Sequence, residues 1–164
     1  QKITSKINSM KKKTTLIILI ILAILGVLTS AYLAYLHYTL VDSVCDFNAQ
    51  FSCTTINRSA YAKIFDIPVS ILGVFGYFLL AIIPFLLIKK VNFKKINTFL
   101  SNRLISKGYF LLSLAAFIFS LYLTGLELKV IGVICPLCLI SQILILFILF
   151  FSYNIYKTEV KNEN

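Results

Sequence analysis

The chain contains four long apolar runs, each of which is long enough to cross a lipid bilayer as a helix. A helix needs about 20 residues to span the hydrocarbon core, and the runs cover residues 15–38, 69–88, 108–126 and 135–156. Of the 164 residues, 59% are hydrophobic and only 13% are charged, a balance far from that of a soluble domain. The sequence therefore predicts an all-α membrane protein, built as a four-transmembrane-helix bundle.

The positive charges lie at the ends of the apolar runs and indicate a topology. Thirteen of the 16 basic residues lie in the N-terminal segment, between the second and third runs, or after the fourth run. The other two connections hold Arg58, Lys63 and Lys129. By the positive-inside rule both termini are cytoplasmic, and residues 39–68 and 127–134 face outward from the cell (plasma or inner) membrane. A net charge of +10 distributed in this way predicts no nucleic-acid partner, because no platform of aromatic and basic residues accompanies it.

These spans predict how the chain is divided. Residues 1–14 form a cytoplasmic N-terminal segment, in which 1–9, upstream of Met10, are expected to be an extension or an expression remnant. Residues 15–156 form the membrane domain, and 157–164 form a cytoplasmic tail. The first run is longer than the apolar region of a signal peptide and lacks a clear cleavage site, so it is predicted to be a span.

Small residues recur at every fourth position in the first run. They are Gly26, Ser30 and Ala34. Such a stripe lets the backbone of another helix approach closely, so it predicts tight packing against this span.

The fourth run opens with a CxxC motif, Cys135-Pro136-Leu137-Cys138. Proline suits the first helical turn, and residues three apart share a helix face, so the two sulfurs can close a disulfide. The free amides and the dipole of a helix N-terminus also favour a thiolate. We expect Cys138 to lie deeper in the bilayer and Cys135 nearer water, so that one thiol meets a lipid-soluble reactant and the other a protein thiol.

A second cysteine pair, Cys45 and Cys53, lies in the long loop that is predicted to face outward. The seven residues between these cysteines are enough to let them close a disulfide. A loop of about 30 residues is long for a compact bundle, and such loops are usually functional or disordered. We expect Asn57 to Phe65 to form a short amphipathic lid helix over the mouth of the bundle, with Ser59 near its start.

Four cysteines at one membrane face leave several interpretations open. They permit three disulfide pairings. Permanent structural disulfides, a zinc site made by all four thiolates and unrelated buried thiols compete with thiol–disulfide exchange. A CxxC motif at a helix start, with a second pair on the same face, favours exchange. His37 is a weaker candidate as a base, and Glu127 and Asp66 are expected to be solvated charges or contacts to a partner.

Together these motifs resemble the vitamin K epoxide reductase family, and most closely its bacterial and archaeal members that oxidise cysteines in exported proteins. The resemblance covers nearly the whole chain. It rests on the loop pairs Cys45-Asp46 and Ser52-Cys53, on Ser59 six residues further along, on Ile67-Pro68-Val69-Ser70-Ile71-Leu72-Gly73 at the start of span two, and on the CxxC motif at the start of span four.

The resemblance implies an electron relay in which all four cysteines are catalytic. A reduced thioredoxin-like partner attacks Cys45, Cys53 passes electrons to Cys135, and Cys138 delivers them to a bound quinone of the ubiquinone or menaquinone type. Ser59 is implied to bind the quinone through a hydrogen bond, beside Cys138. No metal site is implied.

The chain departs from the family pattern in two respects. Many microbial members carry a fused thioredoxin-like domain, and this chain ends shortly after span four, so a separate partner is expected. Some animal members have an asparagine at the position of Val69 and a tyrosine at that of Gln142, residues associated with vitamin K handling. We therefore predict oxidation of a protein thiol by a quinone. The alternatives are reduction of vitamin K epoxide and quinone to support carboxylation, and a non-enzymatic scaffold stapled by zinc or disulfides.

Overall fold

The computed structural model of the protein describes residues 2–39, 42–46, 48, 50–64, 66–89 and 102–163. Within this part of the chain lie five α-helices, one 3-10 turn, one π turn and a two-stranded hairpin. In chain order they are α1 (Lys2–Thr39), α2 (Cys53–Arg58), the 3-10 turn (Ala60–Ala62), β1 (Lys63–Ile64), β2 (Ile67–Pro68), α3 (Val69–Ile88), α4 (Asn102–Leu126), the π turn (Glu127–Ile131) and α5 (Pro136–Glu163).

Four of these helices are long and apolar enough to cross a membrane, which confirms the predicted all-α membrane bundle. Many large apolar side chains point away from the interior, among them Leu28, Phe75 and Tyr122, each more than half exposed. Lipid tails solvate such a surface, whereas water would not. The third span is longer than predicted because the π turn continues α4 without a break. The candidate spans are Lys12–Thr39, Val69–Ile88, Leu104–Ile131 and Pro136–Thr158.

The four long helices form a ring in the order α3, α1, α5, α4. α1 packs along both α3 and α5, and α4 packs along α5. The fourth pair of neighbours, α3 and α4, makes far fewer contacts. The bundle is therefore loosest along the seam between α3 and α4.

The small-residue stripe of α1 sets its close approach to α3, as predicted. A Cβ added at Gly26 would collide with the ring of Tyr77, and a Cβ added at Gly73 would collide with Ser30 Oγ. Two helices can approach this closely only where one of them lacks a side chain at the crossing. The contact is thus sequence-encoded on both helices.

Hydrogen bonds between side chains and neighbouring helices fix the rest of the ring. Ser113 Oγ on α4 and Ser152 Oγ on α5 lie 2.8 Å apart and are both buried. Tyr109 on α4 donates its hydroxyl hydrogen to the Leu80 carbonyl oxygen on α3, at 3.1 Å. A buried hydroxyl needs such a partner, because water does not reach it and lipid tails cannot form hydrogen bonds.

The segment before α3 carries a short helix, but the predicted bounds are wrong. The helix is Cys53–Arg58. It begins four residues before the predicted start at Asn57 and ends within the predicted range, whose last residue, Phe65, lies outside the described residues. Ser52 explains the shift, since its Oγ accepts a hydrogen bond from Thr55 N at 3.1 Å and caps the helix there. Ser59 therefore lies at the C-terminal end of this helix and not near its start.

A hairpin completes this end of the bundle. Lys63 pairs with Pro68 and Ile64 with Ile67 in antiparallel register. Asp66 lies in the turn with a φ of 63°, a left-handed conformation that aspartate tolerates better than most residues. We refer to α2, the 3-10 turn, the hairpin and the start of α5 as the cysteine end of the bundle.

Candidate active site

A short stretch of backbone pairing sets Cys53 opposite Cys135. Ser52 N donates to the Ile134 carbonyl oxygen at 3.2 Å, and Ile134 N donates to the Gln50 carbonyl oxygen at 2.9 Å. Each cysteine is the next residue along its own segment. The backbone register therefore brings the two side chains together independently of any bond between their sulfurs.

Cys53 and Cys135 form a disulfide, with their Cα atoms 4.4 Å apart. Both residues are fully buried, at 0% exposure. Cys45 and Cys138 are free thiols, half-buried, and both pack against the same cluster. The expectation that Cys135 lies nearer water is wrong, because Cys53 and the loop that carries it cover the sulfur.

Thr54 holds the segment that carries Cys45 against α2. Its Oγ1 accepts a hydrogen bond from Ser43 N at 2.8 Å. Its own N–H donates to Asp46 Oδ1 at 3.2 Å. Because the chain on either side of Cys45 is bonded to the residue that follows Cys53, the free thiol is kept beside the disulfide.

The Asp46 carboxylate is stabilised by this arrangement. Partial burial raises the pKa of Asp46, but the hydrogen bonds from Thr54, Ser52 and Ser43 together lower it by more, so the pKa lies below the ordinary value of 3.8. An anion that accepts backbone and hydroxyl hydrogen bonds gives up its charge less readily. Asp46 is therefore charged at neutral pH, next to Cys45.

Asn57 and His37 attach α2 to the end of α1. Asn57 Nδ2 donates to the Leu33 carbonyl oxygen at 2.7 Å, and His37 Nδ1 lies 2.8 Å from the Asn57 carbonyl oxygen. With its ring bonded to backbone, His37 has a structural contact here. Its prediction as a candidate base gains no support from this position.

A cavity of about 520 Å³ lies beneath α2, within the bundle. Its walls come from all four long helices, and their lining is mostly apolar. Both cysteines of the CxxC motif line the cavity, as does Cys53, whereas Cys45 does not. The free Cys138 thiol is thus the redox group that an apolar molecule inside the bundle would meet.

Ser59 also lines the cavity, but its hydroxyl hydrogen is already engaged. Its Oγ donates to the Ile56 carbonyl oxygen at 2.7 Å. In this geometry Ser59 offers the cavity an oxygen acceptor. It acts as a donor to a quinone only after its hydroxyl rotates away from Ile56.

Glu127 is a member of the site, and the expectation that it is a solvated charge or a partner contact is wrong. It is 4% exposed and lines the cavity. Its Oε2 accepts a long hydrogen bond of 3.5 Å from Cys135 N, and its carboxyl group lies beside the Cys138 thiol, close enough for the two groups to interact electrostatically. Asp66, by contrast, is exposed as expected. An acidic residue at the end of an apolar span was the available signal in the sequence.

Two further polar residues of the cavity have no distinctive sequence signal. Tyr77 donates its hydroxyl hydrogen to the Ser141 carbonyl oxygen at 2.7 Å. The Oγ atom of Ser70 is buried and has no hydrogen-bond partner among the described residues. Tyrosine and serine are common in spans, so only the tertiary structure assigns these two to the cavity.

The described residues contain no group of three or more histidine, cysteine, aspartate or glutamate side chains arranged to hold a metal ion. Two of the four thiols are joined in the Cys53–Cys135 bond. A zinc site made by four thiolates requires all of them to be free, so zinc and this disulfide exclude one another.

A four-helix membrane bundle, in which a loop cysteine is bonded to a CxxC cysteine and a free thiol stands on each side of that bond, defines a membrane thiol oxidoreductase. The chain belongs to the vitamin K epoxide reductase family, whose sequence profile it matches over residues 17–153. Enzymes of this family are oxidoreductases that use quinones. A search of curated proteins gives no match.

Proposed function

We propose that the protein oxidises a separate thioredoxin-like partner and passes the electrons to a membrane quinone of the ubiquinone or menaquinone type. Its role would be to promote disulfide formation in exported proteins. The observation that carries this proposal is the Cys53–Cys135 disulfide flanked by two free thiols. It is the intermediate expected when electrons pass from a loop pair to a CxxC pair.

The first half of the cycle transfers two electrons from the partner to the CxxC pair. The partner dithiol reduces a Cys45–Cys53 disulfide and is itself oxidised. The Cys53 thiolate then attacks Cys135 in a Cys135–Cys138 disulfide, which forms the Cys53–Cys135 bond and releases Cys138 as the leaving thiolate. Cys45 and Cys138 are then free, as in the structure.

The second half transfers the same two electrons to the quinone. The Cys45 thiolate attacks Cys53, which re-forms the loop disulfide and frees Cys135. Cys135 and Cys138 then close their disulfide and give two electrons and two protons to the quinone, which becomes a hydroquinone. Each turnover thus forms one disulfide in the partner.

The cavity supports a quinone as the acceptor. It is mostly apolar, has few polar groups and lies against Cys138, which are the properties of a pocket for a flat apolar ring. Ser59 contributes an oxygen at the cavity wall next to α2. We propose that it orients the ring, as an acceptor for the hydroquinone or, after rotation, as a donor to the quinone.

The distribution of lysine and arginine supports an orientation in which the cysteine end lies outside the cell membrane and both termini lie in the cytoplasm. In that orientation Cys45 meets partners of the compartment where exported proteins fold. That compartment is also where disulfides persist.

Vitamin K epoxide reduction is the second candidate that shares this chemistry. At the two positions linked to vitamin K handling in animal members, Val69 lines the cavity, while Gln142 accepts a hydrogen bond from Thr124 on α4. Val69 is apolar and Gln142 does not line the cavity, so neither residue offers a polar contact to an epoxide oxygen held there. Turnover of vitamin K epoxide by the purified protein would favour this second candidate.

Quinone reduction by the purified protein, supplied with a reduced thioredoxin-like partner, tests the proposal. We expect wild type to turn over and Cys138→Ser to lose turnover, because Cys138 is the thiol on the cavity. Undiminished turnover by Cys138→Ser would contradict the mechanism.

Cys45→Ser separates the loop pair from the CxxC pair. We expect it to lose turnover with the protein partner, which enters the relay through Cys45, and keep it with a small dithiol, which can reduce the CxxC pair without the loop pair. A permanent staple or a scaffold would show no thiol turnover with either reductant.

A further inference from the structure

We propose that Glu127 is a catalytic residue that carries protons between the Cys138 thiol and the quinone. This inference rests on the proposed function. Quinone reduction needs a proton carrier. The thiols lose electrons and protons together, but the electrons enter the quinone ring while the protons must reach its two oxygens.

The position of Glu127 in the fold favours a role in the reaction. Glu127 begins the π turn and is buried, while its neighbours Leu128 and Val130 are 56% and 52% exposed. The chain thus turns a carboxyl group inward and two apolar side chains outward. A carboxyl group buried at membrane depth is costly unless it is used or well paired, and π turns of this kind occur frequently at functional sites.

Glu127 also lies close to the reacting atoms of the CxxC pair. The carboxyl group accepts the N–H of Cys135 and lies beside the thiol of Cys138, the other member of the CxxC pair, with which it interacts electrostatically. It also lines the cavity that the quinone would occupy. Glu127 therefore lies beside the thiol that releases the proton and faces the cavity in which the quinone would accept it.

The proton balance closes with Glu127 as a carrier. Disulfide closure releases one proton from each of the two thiols, and the quinone requires two protons with its two electrons. The carboxylate takes the Cys138 proton as the Cys135–Cys138 bond forms and the electron pair passes to the quinone, then gives that proton to a quinone oxygen, and repeats the transfer for the Cys135 proton. It ends each turnover in its starting protonation state.

The Glu127→Gln variant separates this role from a structural one. Its amide oxygen still accepts the Cys135 N–H, but the side chain cannot carry a proton. The assay uses protein reduced with a small dithiol and then mixed with a short-chain ubiquinone, with hydroquinone formation followed by absorbance. We expect quinone reduction to slow by about 100-fold, at the lower end of the range for general acid–base catalysis. The Cys53–Cys135 disulfide should form to the same extent as in wild type.

The pH profile provides a readout that a structural role would not change. Without the carboxylate, Cys138 must lose its proton to solvent, so the rate of Glu127→Gln should rise about tenfold per pH unit below the thiol pKa, while the wild-type rate rises less steeply. The other titratable side chains of the described cavity are Tyr61 on the 3-10 turn, Tyr77 on α3 and, in the reduced protein, the thiols of Cys53 and Cys135, and all of them are present in both proteins. The difference between the two profiles therefore belongs to Glu127.

Two further variants complete the test. Glu127→Asp should restore part of the rate because it keeps the carboxyl group, and Asp66→Asn should behave as wild type because it removes an exposed carboxylate outside the cavity. A Glu127→Gln rate and profile equal to wild type would overturn the proposal, as would failure of that variant to form the Cys53–Cys135 bond. Failure of wild type itself to reduce the quinone would contradict the proposed function, and therefore also the role of Glu127 that rests on it.

A separate observation assigns Ser70 as the hydrogen-bond donor to a quinone carbonyl. Ser70 lies in the first turn of α3 and lines the cavity. Its Oγ atom is buried and has no partner within the described residues, whereas the hydrogen of Ser59 is donated to Ile56. A buried hydroxyl without a partner costs free energy. A carbonyl oxygen in the cavity would satisfy it.

Thermal unfolding with and without the short-chain ubiquinone tests this assignment on oxidised protein. Since Ser70→Ala removes a hydroxyl that bonds to none of the described residues, its melting temperature without quinone should equal or exceed that of wild type. Its quinone affinity should fall about fivefold to tenfold, the worth of one neutral hydrogen bond. Ser70→Thr should recover most of this loss.

Quinone affinity of Ser70→Ala equal to that of wild type would overturn the assignment. A lower melting temperature of the free variant would overturn it as well, since the hydroxyl would then have a structural partner. Absence of any quinone effect on wild type would count against the proposed function itself.

Discussion

Asp46 is the residue on which the position of Cys45 depends most directly. Its carboxylate accepts the N–H of Thr54 and thereby also satisfies one of the free amides at the start of α2. One exposed side chain thus joins the segment of Cys45 to the helix of Cys53. Protonation of the Asp46 carboxylate at low pH removes its charge and weakens this link.

The first prediction concerns the pH dependence of that link. The folded-state pKa of Asp46 lies below its ordinary value of 3.8. The stabilisation is therefore fully present above about pH 4 and is lost as the pH falls through the folded-state pKa. Asp46→Asn should lower the unfolding free energy at pH 7 by no more than about 1 kcal/mol, since the group is exposed.

Thermal unfolding of wild type and Asp46→Asn between pH 7 and pH 3 measures this effect. The difference in melting temperature should shrink toward zero at the acid end. A difference that grows on acidification would show that the sign is wrong.

At the scale of elements, the contact of α1 with α3 fixes the shape of the cavity. Tyr77 fits against Gly26 on one side and is bonded to Ser141 of α5 on the other. The ring cannot swing aside without breaking that hydrogen bond. Three helices are therefore held in register by one tyrosine that also lines the cavity.

The second prediction follows from the tight fit at Gly26. Gly26→Ala places a methyl group against the Tyr77 ring and should destabilise the protein by about 1–3 kcal/mol, the usual cost of overpacking. Gly108→Ala is the matched control, because a Cβ at Gly108 meets nothing within 4 Å. That control should be neutral or more stable by up to about 1 kcal/mol, and thermal unfolding in detergent compares the two. Equal stability of the two variants would contradict the prediction.

At the scale of the whole molecule, we infer that the loosely packed seam between α3 and α4 is the path from the cavity to the lipid. Leu72 on α3 and Phe119 on α4 line the cavity and are also 40% and 38% exposed. Further along the bundle the Tyr109–Leu80 hydrogen bond closes the same seam. Along this path, a quinone bound as proposed would keep its ring inside while its long apolar tail remained among lipids.

The third prediction tests the seam as a path for the tail. Leu72→Trp should slow the reduction of a long-tailed ubiquinone by about tenfold, since it narrows the gap, and leave a short-chain ubiquinone nearly unaffected. Leu28→Trp adds the same bulk at a position on α1 that is 61% exposed and does not line the cavity. It should reduce both quinones as wild type does. Equal slowing of both quinones by Leu72→Trp would refute the path.

The fourth prediction tests the orientation in the membrane. In a background with all four native cysteines changed to serine, Lys63→Cys reports on the cysteine end and Thr158→Cys on the opposite end; both positions are exposed. A membrane-impermeant maleimide should label Lys63→Cys in intact cells and Thr158→Cys only after permeabilisation. The reverse pattern would invert the proposed topology.

The sequence by itself determined the membrane bundle and the cysteine chemistry. Apolar runs of about 20 residues can satisfy their backbone groups in lipid only as helices or closed barrels, so hydropathy alone predicts four spans. The CxxC motif at the start of a helix likewise predicts a redox pair, because spacing and helix geometry are local properties. The stripe that contains Gly26 and Ser30 predicted a close helix contact for the same reason.

Only the tertiary structure decided which groups meet. The pairing of residues 50–52 with Ile134 brings together cysteines 82 positions apart, and no local pattern specifies that register. Burial of Glu127 depends on a π turn and on the position of α5, so its charge alone suggested a surface role. The short helix α2 begins at Cys53 because Ser52 caps it there. In the sequence this capping signal is weaker than the amphipathic pattern of residues 57–65, which predicted a later start. Contacts between distant segments have no local signature, and the chemistry of this site consists of such contacts.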